Sequence, residues 1–385
     1  MDYLPRHLHD PGTSFFLLGP RGTGKTWWVN HTHPEALLLD LLDPETYRRY
    51  SSRPERLIEL LDSHPRGRCV VLDEIQKIPE LLEVVHLLIE RHPDLQFILT
   101  GSSARKIRAA GVDLLAGRAI RRTMHPFMAS ELGERFDLKQ ALEVGLLPVV
   151  TESRNPEETI RGYVTLYLEE EVRAEGLVRK IGDFARFLEA VSISHAGVLN
   201  ISNVARECEV IRKTVEGYVS ILEDLLLAFR IPVFTRRAQR RVTAHPKFYL
   251  FDAGVFRSLR PAGPFDRSEE IEGAALEGLV LQHLIAWNQY RGGRNTVHFW
   301  RTPAGTEVDF VLYGEDGLLA VEVKNTRTIH SNHLRALKAF RADYPECVPL
   351  LLYRGPERLR REGIQIIPCY EFLRELTPER PLPGM

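Results

Sequence analysis

At 385 residues the chain has room for two or three domains, and 44% hydrophobic with 27% charged residues is the balance of a globular protein. The formal net charge of −1 excludes a chain-wide basic field, so any nucleic-acid contact must use a local patch. Four widely spaced cysteines (Cys69, Cys208, Cys347, Cys369) argue against a zinc site or disulfide framework and for a reducing, cytoplasmic setting, while a polar Met1–Pro11 and the lack of a ~20-residue apolar run argue against a signal peptide and a membrane partner.

Of 51 basic residues only nine are lysine, at positions 25, 77, 106, 139, 180, 213, 247, 324 and 338. Arginine fills nearly every surface role, so a lysine marks places where a compact ammonium suits the chemistry better than a planar fork. Lys25 and Lys324 are two such places.

In chain order, the apolar run Phe15-Phe16-Leu17-Leu18 reads as a buried strand, and Trp27-Trp28-Val29 continues a helix. Between them lies Gly19-Pro20-Arg21-Gly22-Thr23-Gly24-Lys25-Thr26, which fits G-x-x-x-x-G-K-[ST], the phosphate-binding P-loop. Gly22 and Gly24 allow a sharp turn that aims N–H groups at phosphate oxygens, and the helix that follows presents its positive end. Lys25 can reach the β- and γ-phosphates of ATP, and Thr26 offers a hydroxyl to Mg²⁺.

A second strand is expected over 36–39, ending before Asp40, and an amphipathic helix over 54–62. Arg68-Cys69-Val70-Val71-Leu72-Asp73-Glu74 is an apolar strand ending in two acids, a Walker B pattern. Asp73 would hold Mg²⁺ and Glu74 would activate the attacking water as general base. A helix over 79–91 and a core strand over 96–100 follow, and Thr100, Ser102 or Ser103 could touch the γ-phosphate or the water. Alternation of this kind gives a parallel sheet with helices on both faces.

This order of motifs resembles the AAA+ ATPases. Leu114-Leu115-Ala116-Gly117-Arg118 with Pro126-Phe127 is similar to a bacterial and archaeal subgroup that carries an uncharacterised C-terminal domain. The resemblance implies ATP and ADP as ligands, Mg²⁺ as cofactor and a homo-oligomer. It departs at the first sensor, where this chain offers Thr100, Ser102 or Ser103 in place of the common Asn. For Arg118, before a strand over 119–124, it implies an arginine finger; a surface arginine is the other reading.

Residues 157–194 read as charged helix, with Glu169-Glu170-Glu171 a solvated face. Ser202 is expected to cap a short helix over 203–208, Glu209-Val210 to turn, and 212–226 to form a second helix with Val215, Val219, Leu222 and Leu226 inward. Strands over 228–234 and 247–251 would follow. The arrangement looks like a winged helix, with Arg236, Arg237, Arg240 and Arg241 at the wing and Lys247 a further candidate. Such a cluster suits DNA phosphates; protein docking is the alternative.

Arg260-Pro261-Ala262-Gly263-Pro264 is the clearest linker. Beyond it, a helix over 269–290 carries Glu277, and strands over 297–300, 307–312, 319–324 and 348–353 flank a helix over 333–344. The series Glu277, Asp309, Glu322-Val323-Lys324 resembles the PD-(D/E)xK nuclease core, with Glu-Val-Asp in place of Pro-Asp. There Asp309, Glu322 and Glu277 would hold a second Mg²⁺ or Mn²⁺, and Lys324, on the same strand face as Glu322, would stabilise the scissile phosphate. A retained but inactive fold is the alternative. The whole reads as an α/β chain: a P-loop AAA+ domain over 1–155, a helical and winged-helix domain over 156–260, and a restriction-endonuclease-like domain over 268–378.

Overall fold

The structure is a computed structural model that describes residues 4–63, 69–103, 118–167, 181–235 and 245–384. The chain divides into two compact units, Met1–His125 with Asp224–Leu226, and Pro126–Glu223 with Leu227–Met385.

The first unit is built on β1 (Phe15–Leu18), α1 (Lys25–Thr32), β2 (Leu37–Asp40), α2 (Pro44–Ser52), α3 (Arg56–Asp62), β3 (Cys69–Asp73), α4 (Leu81–Arg91), β4 (Gln96–Gly101) and β5 (Ile120–Thr123). The five strands form one sheet in the order β2-β3-β4-β1-β5, with every neighbouring pair parallel. Strand β1 and the centres of β3 and β4 are apolar because both their faces are covered. Phe16, Val70, Leu72, Phe97 and Leu99 pack with Leu81, Val85 and Leu88 of α4. Helix α2 gave no apolar-period signal; it is started by Pro44 and by the Asp43 side chain, which accepts from the Thr46 N–H at 2.8 Å. In this order β4 lies between the P-loop strand β1 and the acid-ending strand β3. Thr100 is thereby carried to the gap between the loop and Asp73.

The second unit begins at Pro126, and residues 126–155, read above with the first domain, pack within it. The Phe127 N–H donates to the Leu146 carbonyl at 2.9 Å, and the Leu146 N–H to Asp252 Oδ2 at 2.8 Å. Its helical part includes α5 (Leu138–Val144), α6 (Ile181–Ser192), α7 (Ile201–Glu207) and α8 (Arg212–Asp224). Within 157–194, Pro156–Gly162 is α-helical, Tyr163–Tyr167 is π-helical and α6 is helical, while 168–180 lie outside the described residues. The cap of α7 is Asn200, whose side chain accepts from the Asn203 N–H at 3.1 Å, in place of the expected Ser202. The amide side chain one turn earlier reaches the free N–H, and Ser202 falls inside the helix.

β6 (Gly197–Val198), ahead of α7, joins β7 (Ala228–Ile231) and β8 (Lys247–Leu250), which follow α8, in a three-stranded antiparallel sheet in the order β6-β8-β7. Asp252 caps α9 (Ala253–Leu259), accepting from the Gly254 and Val255 N–H groups. The C-terminal part joins α10 (Ser268–Tyr290), β9 (Asn295–Arg301), β10 (Glu307–Gly314), β11 (Gly317–Lys324), α11 (Arg335–Asp343), β12 (Val348–Tyr353), β13 (Leu359–Arg361), β14 (Ile364–Pro368) and α12 (Cys369–Glu375). Its sheet runs β13-β14-β12-β11-β10-β9, antiparallel from β9 to β11 and parallel from β11 through β12 to β14. Trp300, Val308, Val311, Leu337, Phe340 and Leu351 form a core between sheet and helix. No described helix is long and apolar enough to cross a membrane.

Candidate functional site

Two places gather the residues singled out above, one in each unit. In the first, the chain leaves β1 through Gly19, where an added Cβ would lie 2.4 Å from the Met124 carbonyl oxygen, so only glycine lets the loop pass. Gly22 (φ 80°) and Gly24 (φ 88°) adopt left-handed backbone, and Gly24 is the residue from which α1 springs. Thr23 donates to the Pro20 carbonyl at 2.7 Å, closing the turn. Arg6 braces it from outside, donating to the Thr23 carbonyl at 2.8 Å and the His125 carbonyl at 2.6 Å. Lys25 is 5% exposed and its ammonium donates to the Gly19 carbonyl at 2.8 Å, along the inner rim of the loop.

The two acids of β3 lie beside it. Thr26 Oγ1 donates to Asp73 Oδ2 at 2.8 Å, and Thr100 Oγ1 donates to Asp73 Oδ1. A hydroxyl next to a carboxylate is a hard-oxygen donor set that fits Mg²⁺. Glu74 sits in left-handed backbone (φ 61°), an uncommon conformation for a non-glycine residue, held by its N–H donating to Thr100 Oγ1 at 3.0 Å. Its carboxylate accepts from Gln76 Nε2, which also donates to Ser102 Oγ at 3.0 Å. The loop, Lys25, Thr26, Asp73, Glu74 and Thr100 are thus brought together. Arg6 and Gln76 belong to the same constellation and were missed; Gln76 follows the two acids closely enough to have been considered, whereas nothing marked Arg6. Arg118 is part-exposed and pairs with Glu90 at 2.6 Å. Leu114–Gly117 lie outside the described residues.

The second place is in the C-terminal part. The register Phe310↔Val321 continues to set Asp309 of β10 opposite Glu322 of β11, and α10 brings Glu277 alongside. Lys324 Nζ pairs with Glu322 Oε1 at 2.5 Å. Between the acids stands a residue the sequence placed elsewhere. Lys247 is 1% exposed, so it cannot meet a phosphate at a surface wing. Its Nζ lies 2.9 Å from Glu277 Oε1 and 3.5 Å from Asp309 Oδ1, and it pairs with Glu307 Oε1 as well. The expectation of Glu277, Asp309 and Glu322 around a metal ion is altered accordingly: an ammonium stands among the acids. Among the described residues no group of three or more His, Cys, Asp and Glu is arranged as metal ligands.

Three of these acids have a further partner. Tyr249 OH donates to Glu277 Oε1 at 2.6 Å, the Val323 N–H to Asp309 Oδ2 at 2.8 Å, and Arg301 pairs with Glu307 Oε2 at 3.4 Å. Burial and the Asp309 charge push Glu277 up to about 7, against the pull of Lys247 and the Tyr249 hydroxyl. Burial raises Glu322 well above the usual carboxylate range, and Asp309 adds to it. Burial opposes charge on Lys247, yet Glu277, Tyr249, Asp309 and Glu307 together raise it well above a free lysine. The signal for Lys247 was its residue type in an arginine-rich chain, and for Glu307 its two-residue step from Asp309 on one strand face. Arg236, Arg237, Arg240 and Arg241 lie outside the described residues.

Residues 12–133 match the AAA domain family. The first unit is a P-loop AAA-type domain. Residues 135–266 match a domain of unknown function (DUF8612), and residues 272–372 another (DUF4143). Two curated relatives, protein Rv2008c of Mycobacterium tuberculosis and protein Mb2031c of Mycobacterium bovis, are each 24% identical over 364 residues, covering 92% of this chain and 79% of theirs. Among solved structures, the Walker-type ATPase PABY2304 of Pyrococcus abyssi is similar at 15% identity and a TM-score of 0.43, covering 64% of this chain and 91% of that one. The ORC2 protein of Aeropyrum pernix, in its ADP form, is similar at 14% identity and a TM-score of 0.32, covering 70% and 89%.

Proposed function

We propose that the chain is an ATP-hydrolysing switch whose first unit turns over ATP with Mg²⁺ and whose second unit docks on DNA. The observation that carries the reading is the meeting of Thr26 and Thr100 on Asp73 beside a loop that presents Lys25. Loop N–H groups and the start of α1 would receive the phosphates, and Lys25 would swing from the Gly19 carbonyl to the β- and γ-phosphates. Thr26 and Asp73 would hold Mg²⁺, which when bound neutralises phosphate charge. Glu74 would take the proton of the attacking water, released for that role as Gln76 and Ser102 give up its carboxylate. Arg118 would act on the phosphates of a neighbouring copy after leaving Glu90, which makes a homo-oligomer part of the proposal.

For the second unit, β6, the two helices α7 and α8 and then the β7–β8 pair support a winged-helix assignment within a helical middle domain, ahead of the nuclease-like C-terminal one. The first turn of α8 exposes Arg212 and Lys213, with the Arg236–Arg241 cluster in the following connection. Docking is favoured over phosphodiester cleavage by the ion pairs of Lys247 with Glu277, Glu307 and Asp309. Steady-state ATP turnover with and without duplex DNA tests the whole reading. Turnover stimulated by DNA, with the DNA left intact, is expected; turnover indifferent to every nucleic acid, or Mg²⁺-dependent cutting abolished by Asp309→Ala, contradicts it. Mixing Arg118→Ala with Lys25→Ala subunits should restore part of the turnover, and no recovery in a mixture shown to co-assemble would remove the shared site.

A further inference from the structure

We propose that the carboxylate centre of the C-terminal part carries its own cation: the Lys247 ammonium takes the place of the divalent ion that a nuclease-like core would require, so this centre works without metal. The inference stands on ion-pair geometry and depends neither on ATP hydrolysis nor on DNA docking.

Three carboxylates, from α10 (Glu277) and from two same-face positions of β10 (Glu307 and Asp309), direct one oxygen each at Lys247 Nζ. The ammonium donates to Glu277 Oε1 at 2.9 Å and is ion-paired with Glu307 and Asp309, so its charge is answered by three carboxylates. Its open side faces the Phe299 ring, 5.7 Å from the centroid, which offers no ligand. The second oxygens of Asp309 and Glu307 are held by the Val323 N–H and Arg301, and Tyr249 OH donates to the same Glu277 Oε1 that meets the ammonium, which fixes these acids around the nitrogen as an outer shell would fix ligands around a metal. Lys247 itself is anchored in β8, whose backbone pairs with both β6 and β7, so the ammonium is not a free surface arm that an ion could push aside cheaply. Glu322, with its own lysine partner Lys324, completes a centre of four acids and two lysines. A divalent ion offered the same oxygens would meet a fixed positive charge within a few ångströms, and like charges at that distance in a buried site repel strongly.

The test is Mn²⁺ binding to the full chain without nucleotide, read by electron paramagnetic resonance of the free ion. The unsubstituted protein is expected to bind no Mn²⁺ at this centre. Lys247→Met should gain one ion per chain, with affinity at least about tenfold above any binding by the parent, because the repelling charge is gone and the oxygens remain. Adding Asp309→Asn to Lys247→Met should remove the gained ion. Should Lys247→Met not fold, Lys247→Gln with Glu277→Gln removes one acid along with the ammonium and is read in the same way. Stoichiometric Mn²⁺ binding by the unsubstituted protein that disappears in Asp309→Asn overturns the inference. So does a folded Lys247 variant that gains no ion, because the acids would then not be an ion-sized cage that the ammonium fills.

Discussion

Among the described residues, two clusters of acids lie with a lysine nearby, and they are built in opposite ways. Beside the P-loop, Lys25 is held by loop carbonyls while Asp73 takes its hydrogen bonds from the hydroxyls of Thr26 and Thr100. Carbonyls and hydroxyls are partners that a bound nucleotide and its cation can exchange. In the C-terminal part, Lys247 lies directly among Glu277, Glu307 and Asp309, and the charges answer one another. The same residue types make a receptor in one case and a closed centre in the other. The difference is set by whether the lysine's partner is a backbone carbonyl, which is easily exchanged, or a buried carboxylate, which is not.

The largest expected effects lie at the receptor. Glu74→Gln should keep ATP binding and lower turnover by on the order of 10²–10⁴-fold, the range for a lost general base. Lys25→Ala should lower it by on the order of 10²–10³-fold or more through loss of phosphate contact. Both should leave thermal stability nearly unchanged. Rapid-quench measurement of phosphate release separates them, and parental turnover by Glu74→Gln would remove the base assignment.

At the closed centre the pattern should reverse. Lys247→Met leaves buried carboxylates without their cation and should cost about 3–5 kcal/mol of stability in the second unit, while ATP binding is retained. Hydrogen exchange should show β8 and β10 losing protection while β1 and β3 keep theirs. Uniform loss across both sheets would mean that the two centres are not energetically separate.

Acid should also act unequally. Burial lowers His283 to about 4, and its neutral ring accepts from the Ala129 N–H at 2.9 Å through Nε2. A histidine with a depressed folded pKa contributes stability that is full above about 6.5 and is lost as pH falls toward 4. His195, lowered by burial to about 3, adds to this, whereas Asp252, raised by burial to about 6, works in the opposite direction. Glu277 and Glu322, raised as well, also oppose the loss, so the His283 contribution is read by difference: between pH 6.5 and 4 the parent should lose about 3 kcal/mol more than His283→Gln. An unchanged pH profile would remove His283 as its source. Asn200→Ala should have the smallest effect, about 1 kcal/mol from a lost helix cap, confined to α7 in the exchange pattern. A cost shared with β6–β8 would mean that Asn200 does more than cap.

The receptor was largely legible in the sequence because its chemistry is local. Gly19 to Thr26 is contiguous, and Asp73 and Glu74 end an unbroken apolar run. Glycine spacing and strand-end acids declare themselves without knowledge of distant contacts. Most strands of the two larger sheets were legible for the same reason, whereas β13, β14 and α2 were not; the start of α2 rests on a cap and a proline with little apolar period. The closed centre was half legible. Glu277, Asp309, Glu322 and Lys324 follow a known order, but Lys247 comes from β8, far from them in sequence, and a lysine in an arginine-flanked connection reads as surface. Only the packing of β8 against α10 and β10 turns it inward. Asn200 against Ser202 is a smaller instance: both residues can cap, and the choice depends on where α7 begins.

The most direct test of the contrast is to count Mn²⁺ bound per chain in the presence of a non-hydrolysable ATP analogue. The account predicts one ion, lost in Asp73→Asn and in Lys25→Ala and retained in Asp309→Asn. A second ion that vanishes in Asp309→Asn, or a single ion indifferent to Asp73, would contradict it.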